Sequence, residues 1–294
     1  MKEPCLRVMT RRTALSALVG VGAGTVAGPA VCAAPALPTQ RVAPGGVVLL
    51  PLGASVERPG VRTGGGLPVL VTGSPDGWTA VVGIALSAAP GEASVTVGRP
   101  GGRDERVPFR IGKHAYAEQR LNVAPGQVDL SPDNLARYER EKLHQAAVIA
   151  TFSEPVPERL DMLPPVPGPR SSSFGLRRVF NGQPRSPHSG MDIAAPTGTA
   201  VLAPLAARVI DTGDYFFNGR TVWLDHGGGL LSMVCHLSEI RVQLGDLVQA
   251  GQAVAAVGAT GRATGPHLHW SVSLNRAMVD PALFLVGASA HPGR

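Results

Sequence analysis

Glycine and proline interrupt this chain so often that only one stretch is left free for a long helix. The 294 residues include 37 Gly and 27 Pro, and between them lie short apolar runs of the kind that form strands bounded by turns. Charged residues make up only 16% of the chain, too few to solvate many long helices. The 44% hydrophobic content is ordinary for a folded protein and argues against disorder. The expected fold class is therefore mainly β.

The N-terminal segment stands apart. A basic start (Lys2, Arg7, Arg11, Arg12) precedes a stretch without charge from Thr13 to Gln40. Its apolar part, Ala14–Val31, is rich in glycine and too weakly hydrophobic for a permanent anchor. Residues 1–33 are expected to be an export signal of twin-arginine type, around Arg11-Arg12, cleaved near Ala33. Cleavage removes four cations and Glu3, lowering the formal net charge from +6 to +3. Nucleic acid is then not an expected partner. Cys5 and Cys32 leave with the signal, so Cys235 remains alone and no internal disulfide is expected. With no further membrane span in the sequence, the expected location is periplasmic or secreted.

Residues 41–117 read as an accessory, β-sandwich-like domain with strands near Val47–Leu50, Leu67–Val71, Trp78–Ile84, Ala93–Val97 and Val107–Ile111. Residues 118–170 read as a connecting helix and a linker. Ser131-Pro132-Asp133 supplies an N-cap, a proline for the first turn and an acid. The helix that follows is expected to pack Leu135, Leu143 and Ala146 on a neighbour. Pro155, Pro157, Pro164, Pro165, Pro167 and Pro169 suggest an extended linker. Residues 171–286 read as a second, antiparallel β domain, with Asp225–Gly229 as a hairpin turn, and 287–294 as a tail.

Five of the eight histidines fall between His188 and His269. In His267-Leu268-His269 the two imidazoles share one face of a strand, and His188 and Asp192 share a face in the same way. Two imidazoles and one carboxylate form a three-ligand zinc site with a position left for water, as a hydrolytic centre requires. His226, in the hairpin turn, reads as structural.

Several motifs occur in order: Phe174-Gly175-Leu176-Arg177, His188-Ser189-Gly190-Met191-Asp192, Asp225-His226-Gly227, His236-Leu237-Ser238, Gly245-Asp246, and Gly258 through His269, followed by Asp280-Pro281. Together they resemble the lysostaphin/LytM-type zinc metallopeptidases, which cut peptidoglycan peptides. The resemblance covers about Ser171–Leu285. It implies His188, Asp192 and His269 as Zn2+ ligands, with His236 and His267 as catalytic residues flanking the reacting water and carbonyl. It also implies peptidoglycan stem or cross-bridge peptides as substrate, and leaves room for a protein activator. Relatives often carry Tyr two residues before the catalytic His, where this chain has Val234.

Rival readings fit less well. Cys235 and His236 are adjacent, so on a regular strand they point to opposite faces and cannot act as nucleophile and base. A lipoyl or biotin carrier needs an exposed lysine, and none follows Lys142. A His-Glu-x-x-His helix is absent, Glu239 being the sole glutamate after Arg170. The surviving alternative is a non-catalytic or self-blocked wall-binding regulator of other hydrolases.

Overall fold

The computed structural model describes residues 36–99, 101–121 and 130–286. The expected leader and tail lie outside them. The fold is mainly β, with one α-helix among the described residues. Strands β1 (Val47–Gly53), β2 (Gly60–Thr63), β3 (Leu70–Ser74), β4 (Gly77–Gly83), β5 (Gly91–Gly98) and β6 (Glu105–Ile111) make two antiparallel sheets, ordered β1-β4-β3 and β2-β5-β6. The third strand begins at Leu70 rather than Leu67, since Pro68 makes only an isolated bridge to Arg62.

The first of these sheets is buried on both faces, and its sequence says why. Val48, Leu50, Val71, Ala80 and Val82 meet Val61, Val95 and Val97 of the second sheet. Val47, Leu70 and Val81 turn the other way, into the core of the C-terminal sheet. A strand covered on two sides reads as a continuous apolar run, as Val47–Leu50 and Ala80–Val82 do. The N-terminal sheets are thus joined to the rest through shared core.

After them come β7 (Glu118–Leu121), α1 (Pro132–Ile149), β8 (Arg170–Ser172), β9 (Arg177–Phe180) and β10 (Gln183–Pro184). Then follow β11 (Met191–Ala194), β12 (Ala200–Leu202), β13 (Ala207–Tyr215), β14 (Gly219–Asp225), β15 (Leu230–Ile240), β16 (Leu247–Val248), β17 (Ala253–Val257), β18 (His267–Leu274) and β19 (Ala277–Val279), and a short 3-10 helix at Pro281–Phe284. Ten strands build one large sheet along β16-β13-β14-β15-β18-β11-β8, with β12, β17 and β19 attached. A small fourth sheet, β10-β9-β7, pairs β7 with β9 in parallel. Asp225–Gly229 forms the turn between β14 and β15, with Gly227, Gly228 and Gly229 all at positive φ.

Two expectations change. The proline-rich segment is extended but is not a free linker: Leu160, Met162 and Val166 are buried in the main core. Its backbone is paired as well, Leu163 N–H donating to the Pro204 carbonyl and Leu202 N–H to that of Pro165. Proline favours extended backbone without dictating exposure, and the apolar residues between the prolines decide the placement. The helix starts at the Ser131 cap as expected, yet Leu135, Leu143 and Ala146 are exposed. The packed stripe is instead Tyr138, Glu141, Gln145 and Val148, spaced by helical turns. Tyr138 meets the Phe217 ring edge-on, Glu141 accepts from the Phe216 N–H, and Asn218 donates to Gln145. His144 adds a 3.0 Å contact to the buried Asp211, which also accepts from the Tyr215 hydroxyl. The seat mixes these polar contacts with an apolar patch of Trp223, Leu231 and Met233 under Val148, and apolar periodicity along the rest of the helix pointed to the wrong face. Among the described residues no helix is long and apolar enough to cross a membrane.

Candidate active site

Strand register brings the histidines together. β11 and β18 pair antiparallel with Asp192 opposite His269 and Ala194 opposite His267. Facing residues on one side of such a pair are near neighbours. His188 precedes β11 in a loop, its imidazole buried beneath the sheet edge formed by β8. The outcome is a triangle of donor atoms. His188 Nε2 lies 3.0 Å from Asp192 Oδ1 and 3.0 Å from His269 Nδ1, and His269 Nδ1 lies 2.9 Å from Asp192 Oδ1.

The surroundings fix which ring nitrogens face inward. His188 Nδ1–H donates to the Ser173 carbonyl at 2.9 Å, leaving Nε2 with its lone pair toward the triangle. His269 Nε2 lies 2.9 Å from the Ser271 hydroxyl, which can accept from Nε2–H and so leave Nδ1 to do the same. Partners of this kind orient metal-bound imidazoles. Burial opposes charge on Asp192, but the imidazoles of His188 and His269 outweigh it and hold the carboxyl far below its usual range. Burial, the largest influence, keeps the His269 pKa low.

Three electron pairs aimed at one another call for a cation between them. The donor set, two nitrogens and one carboxylate oxygen, matches zinc chemistry rather than that of oxygen-seeking calcium or magnesium. Two atoms each about 2.0 Å from one tetrahedral ion lie roughly 3.3 Å apart, and the triangle edges are close to that. His188, Asp192 and His269 can therefore hold a metal ion.

His236 reaches the cleft through a break in strand regularity. Along β15, Leu231, Met233 and Cys235 face α1, whereas Leu230 and Val234 face the opposite core. By alternation His236 belongs with Val234, in the core. A register shift against β14 and a φ of 62° at His236 turn it outward instead. β15 also changes partner there, pairing with β18 up to Cys235 and with β17 from Leu237. Such bulges are a common way of re-aiming a side chain beside a site. His236 Nδ1–H donates to the Thr260 carbonyl at 2.9 Å, and His267 Nδ1–H to that of Gly265 at 2.8 Å. Both rings thus turn Nε2 to the cleft, their centroids 4.7 Å apart. Burial first, then the neighbouring His269, lowers the His236 pKa to about 4.

The bulge also alters the argument about Cys235. Opposite faces do not separate it from His236. Complete burial does, and burial pushes its thiol up to about 12, with the Thr221 hydroxyl donating to its sulfur. A thiol in that state is no nucleophile. Val234 is fully buried in the core, so position 234 sends no side chain to the cleft. His226 is buried away from the site, between the Ala206 carbonyl and the Ser232 hydroxyl.

The site opens into a cleft of about 370 Å³, whose lining includes Gln119, Arg178, Arg262 and the four histidines. Sequence reasoning passed over Arg178, Arg262 and Ser271. Ser271 was readable, being two residues beyond His269 on the same strand face. Arg178 lies 3.5 Å from Asp192 Oδ2, and no local pattern announces it.

Comparison with known proteins adds the following. Residues 186–281 match the family described as Peptidase family M23, and residues 40–114 match the Peptidase family M23 N-terminal domain. A crystal structure described as a peptidase M23 from Pseudomonas aeruginosa is 44% identical, covering 84% of this chain and 96% of that one, with a TM-score of 0.71. The peptidoglycan DD-endopeptidase ShyA of Vibrio cholerae is 39% identical over 103 residues, 35% of this chain and 24% of that protein. The DD-carboxypeptidase/endopeptidase Mpg of Neisseria meningitidis is 37% identical over 111 residues, 38% of this chain and 26% of that protein. The alignments thus span about a quarter of these two relatives.

Proposed function

The chain belongs to peptidase family M23, and on that premise we propose that it is an exported zinc-dependent endopeptidase hydrolysing peptide bonds in peptidoglycan. The observation that carries this reading is the triangle of His188 Nε2, Asp192 Oδ1 and His269 Nδ1, with each imidazole's other nitrogen beside a group able to accept its N–H. Zinc bound there polarises a carbonyl and lowers the pKa of water toward neutrality.

The chain's own residues supply the rest. His236 and His267 are positioned by backbone carbonyls, so neither ring need reorganise during the reaction. A neutral Nε2 accepts a proton from water as it attacks, and the imidazolium so formed returns it to the departing amine. The second ring borders the oxygen that gains charge at the tetrahedral stage, and with a proton taken from solvent its Nε2–H would donate to that oxygen. The low His236 pKa keeps that ring neutral at physiological pH, which suits the accepting role. Arg178 stands 3.5 Å behind Asp192. Names of relatives such as ShyA and Mpg support peptidoglycan as the substrate class. Substrate in the wall places the site of action in the periplasm or outside the cell.

Metal analysis combined with digestion of purified peptidoglycan tests the proposal. Close to one zinc per chain is expected, with release of peptide-linked fragments that stops on chelation and returns with zinc. Digestion that continues after chelation and in a His188→Ala variant would overturn it.

A further inference from the structure

Beside the metal triangle the cleft widens into a groove of about 840 Å³ that runs to α1, sharing His188, His236 and His269 with the site. Its charge is one-sided: among the described residues Arg178, Arg185, Arg262 and Lys142 line it, against the single carboxylate of Glu141. Glu141 is already engaged by Arg137 and by the Phe216 N–H. Asp192, at the neighbouring cleft, is engaged by the two imidazoles.

The three arginines are not equivalent. Arg178 is tied to Asp192, and Arg185 donates to Gln183 at 2.7 Å. Arg262 is held differently, its guanidinium 4.1 Å from the centre of the Phe217 ring and 5.8 Å from that of Phe180. Among the described residues no acidic side chain forms a salt bridge with it. Burial, followed by repulsion from Arg178 and Arg185, makes its charge costly. A guanidinium stacked by its face keeps its edge free, and that edge fits a carboxylate with two parallel hydrogen bonds.

We infer that this groove is a carboxylate-reading subsite in which Arg262 holds a carboxylate of the substrate peptide. The inference rests on the peptidase reading above and assigns its selectivity: peptides with a carboxylate close to the scissile bond are favoured over the same peptides as amides. An anion there answers three clustered cations at once. The aromatic seat of Arg262 orients the guanidinium beforehand, which lowers the ordering cost of binding. Both the terminal carboxylate and a side-chain carboxylate of a peptide carry this chemistry.

The test uses the zinc-loaded full chain and three synthetic stem-type peptides: one with all carboxylates free, one amidated at the C-terminus, and one amidated at the acidic side chain. Cleavage kinetics and fluorescence-anisotropy binding are measured for the wild type, Arg262→Gln and Arg262→Lys. One amidation is expected to raise KM and Kd roughly ten- to hundred-fold, as loss of a charge-assisted pair does. Which of the two amidations does so identifies the carboxylate. Arg262→Gln should erase the difference by raising KM and Kd for the free peptide to the amidated value, with zinc content unchanged, and Arg262→Lys should restore it only in part. Equal binding and cleavage of all three peptides by the wild type overturns the subsite and leaves the peptidase reading standing, as does discrimination that persists in Arg262→Gln. Discriminating binding without any cleavage upholds the subsite and overturns the peptidase reading.

Discussion

Gly190 lies directly against the imidazole of His269: a Cβ added there would stand 2.6 Å from His269 Cε1, from Nε2, and from the Ser271 hydroxyl oxygen. That contact explains why position 190, in the segment between His188 and Asp192, carries no side chain. The strand turns inward so tightly at this point that the metal-facing ring occupies the space of a methyl group. Gly190→Ala should therefore displace His269 from Asp192 and from its Ser271 partner. The expected outcome is zinc affinity and turnover lower by about 10–100-fold, with a stability loss of about 1–3 kcal/mol from overpacking. Zinc titration and thermal unfolding of the variant check both.

The two pairs of histidines should separate experimentally. His188→Ala or Asp192→Ala removes a corner of the donor triangle and should leave the purified protein without bound zinc. His236→Ala or His267→Ala leaves the triangle whole. Such variants should keep zinc near one per chain while wall digestion falls by about 100-fold or more, the scale of lost acid–base catalysis. Metal content read beside activity distinguishes the groups. Zinc lost from both kinds of variant would show that the four rings form a single unit.

Much of this site was legible in the chain because strand alternation is a strong rule. It put His267 and His269 on one face, and register set Asp192 opposite His269, but His188 comes from the loop before β11 rather than from a shared strand face. His236 was legible only through family resemblance, since regular alternation sends it to the core and a bulge at positive φ turns it back. No single-sequence pattern marks that bulge. The β class was legible from the turn residues, but the seat of α1 was not. Tyr138, Glu141 and Gln145 dock through hydrogen bonds and ring edges, and these leave no hydrophobic period to read. The proline-rich segment misled in a related way: its extended backbone was evident, whereas burial of Leu160 and Met162 depended on partners distant in sequence.

His226 should make the fold sensitive to acid. The ring is buried between the Ala206 carbonyl, which accepts from Nδ1, and the Ser232 hydroxyl, which donates to Nε2. Burial lowers its pKa to about 4, while the Ala206 carbonyl and the nearby Asp225 favour the charged form only in part. An unfolded histidine titrates near 6.5. Between these values the unfolded chain binds the extra proton, so stability is full above the unfolded value and falls as the pH drops toward 4. The slope from this one group approaches about 1.4 kcal/mol per pH unit. Denaturant unfolding of wild type and His226→Gln from pH 7 to 4.5 isolates it. The variant should be less stable at pH 7 yet show a flatter decline, and parallel curves would contradict the assignment.

Asn275 joins the N-terminal sheets to the C-terminal sheet, and its removal should show whether they unfold together. Its side chain accepts from the Gly83 N–H at 2.6 Å and donates to the Gly83 carbonyl at 3.0 Å, completing the β4 backbone beyond the reach of β3. It also occupies the tight turn between β18 and β19 at a φ of 42°, a conformation open to Asn and Gly but strained for Ala. Two substitutions separate these duties. Asn275→Gly keeps the turn and strands two buried backbone groups, costing about 2–4 kcal/mol. Asn275→Ala adds turn strain of about 1–2 kcal/mol. Because Val47, Leu70 and Val81 share one core with the catalytic sheet, both variants should still unfold in one transition at a lower midpoint. A new early transition, with residues 41–117 becoming sensitive to protease first, would mean that Asn275 rather than the shared core holds the two parts together.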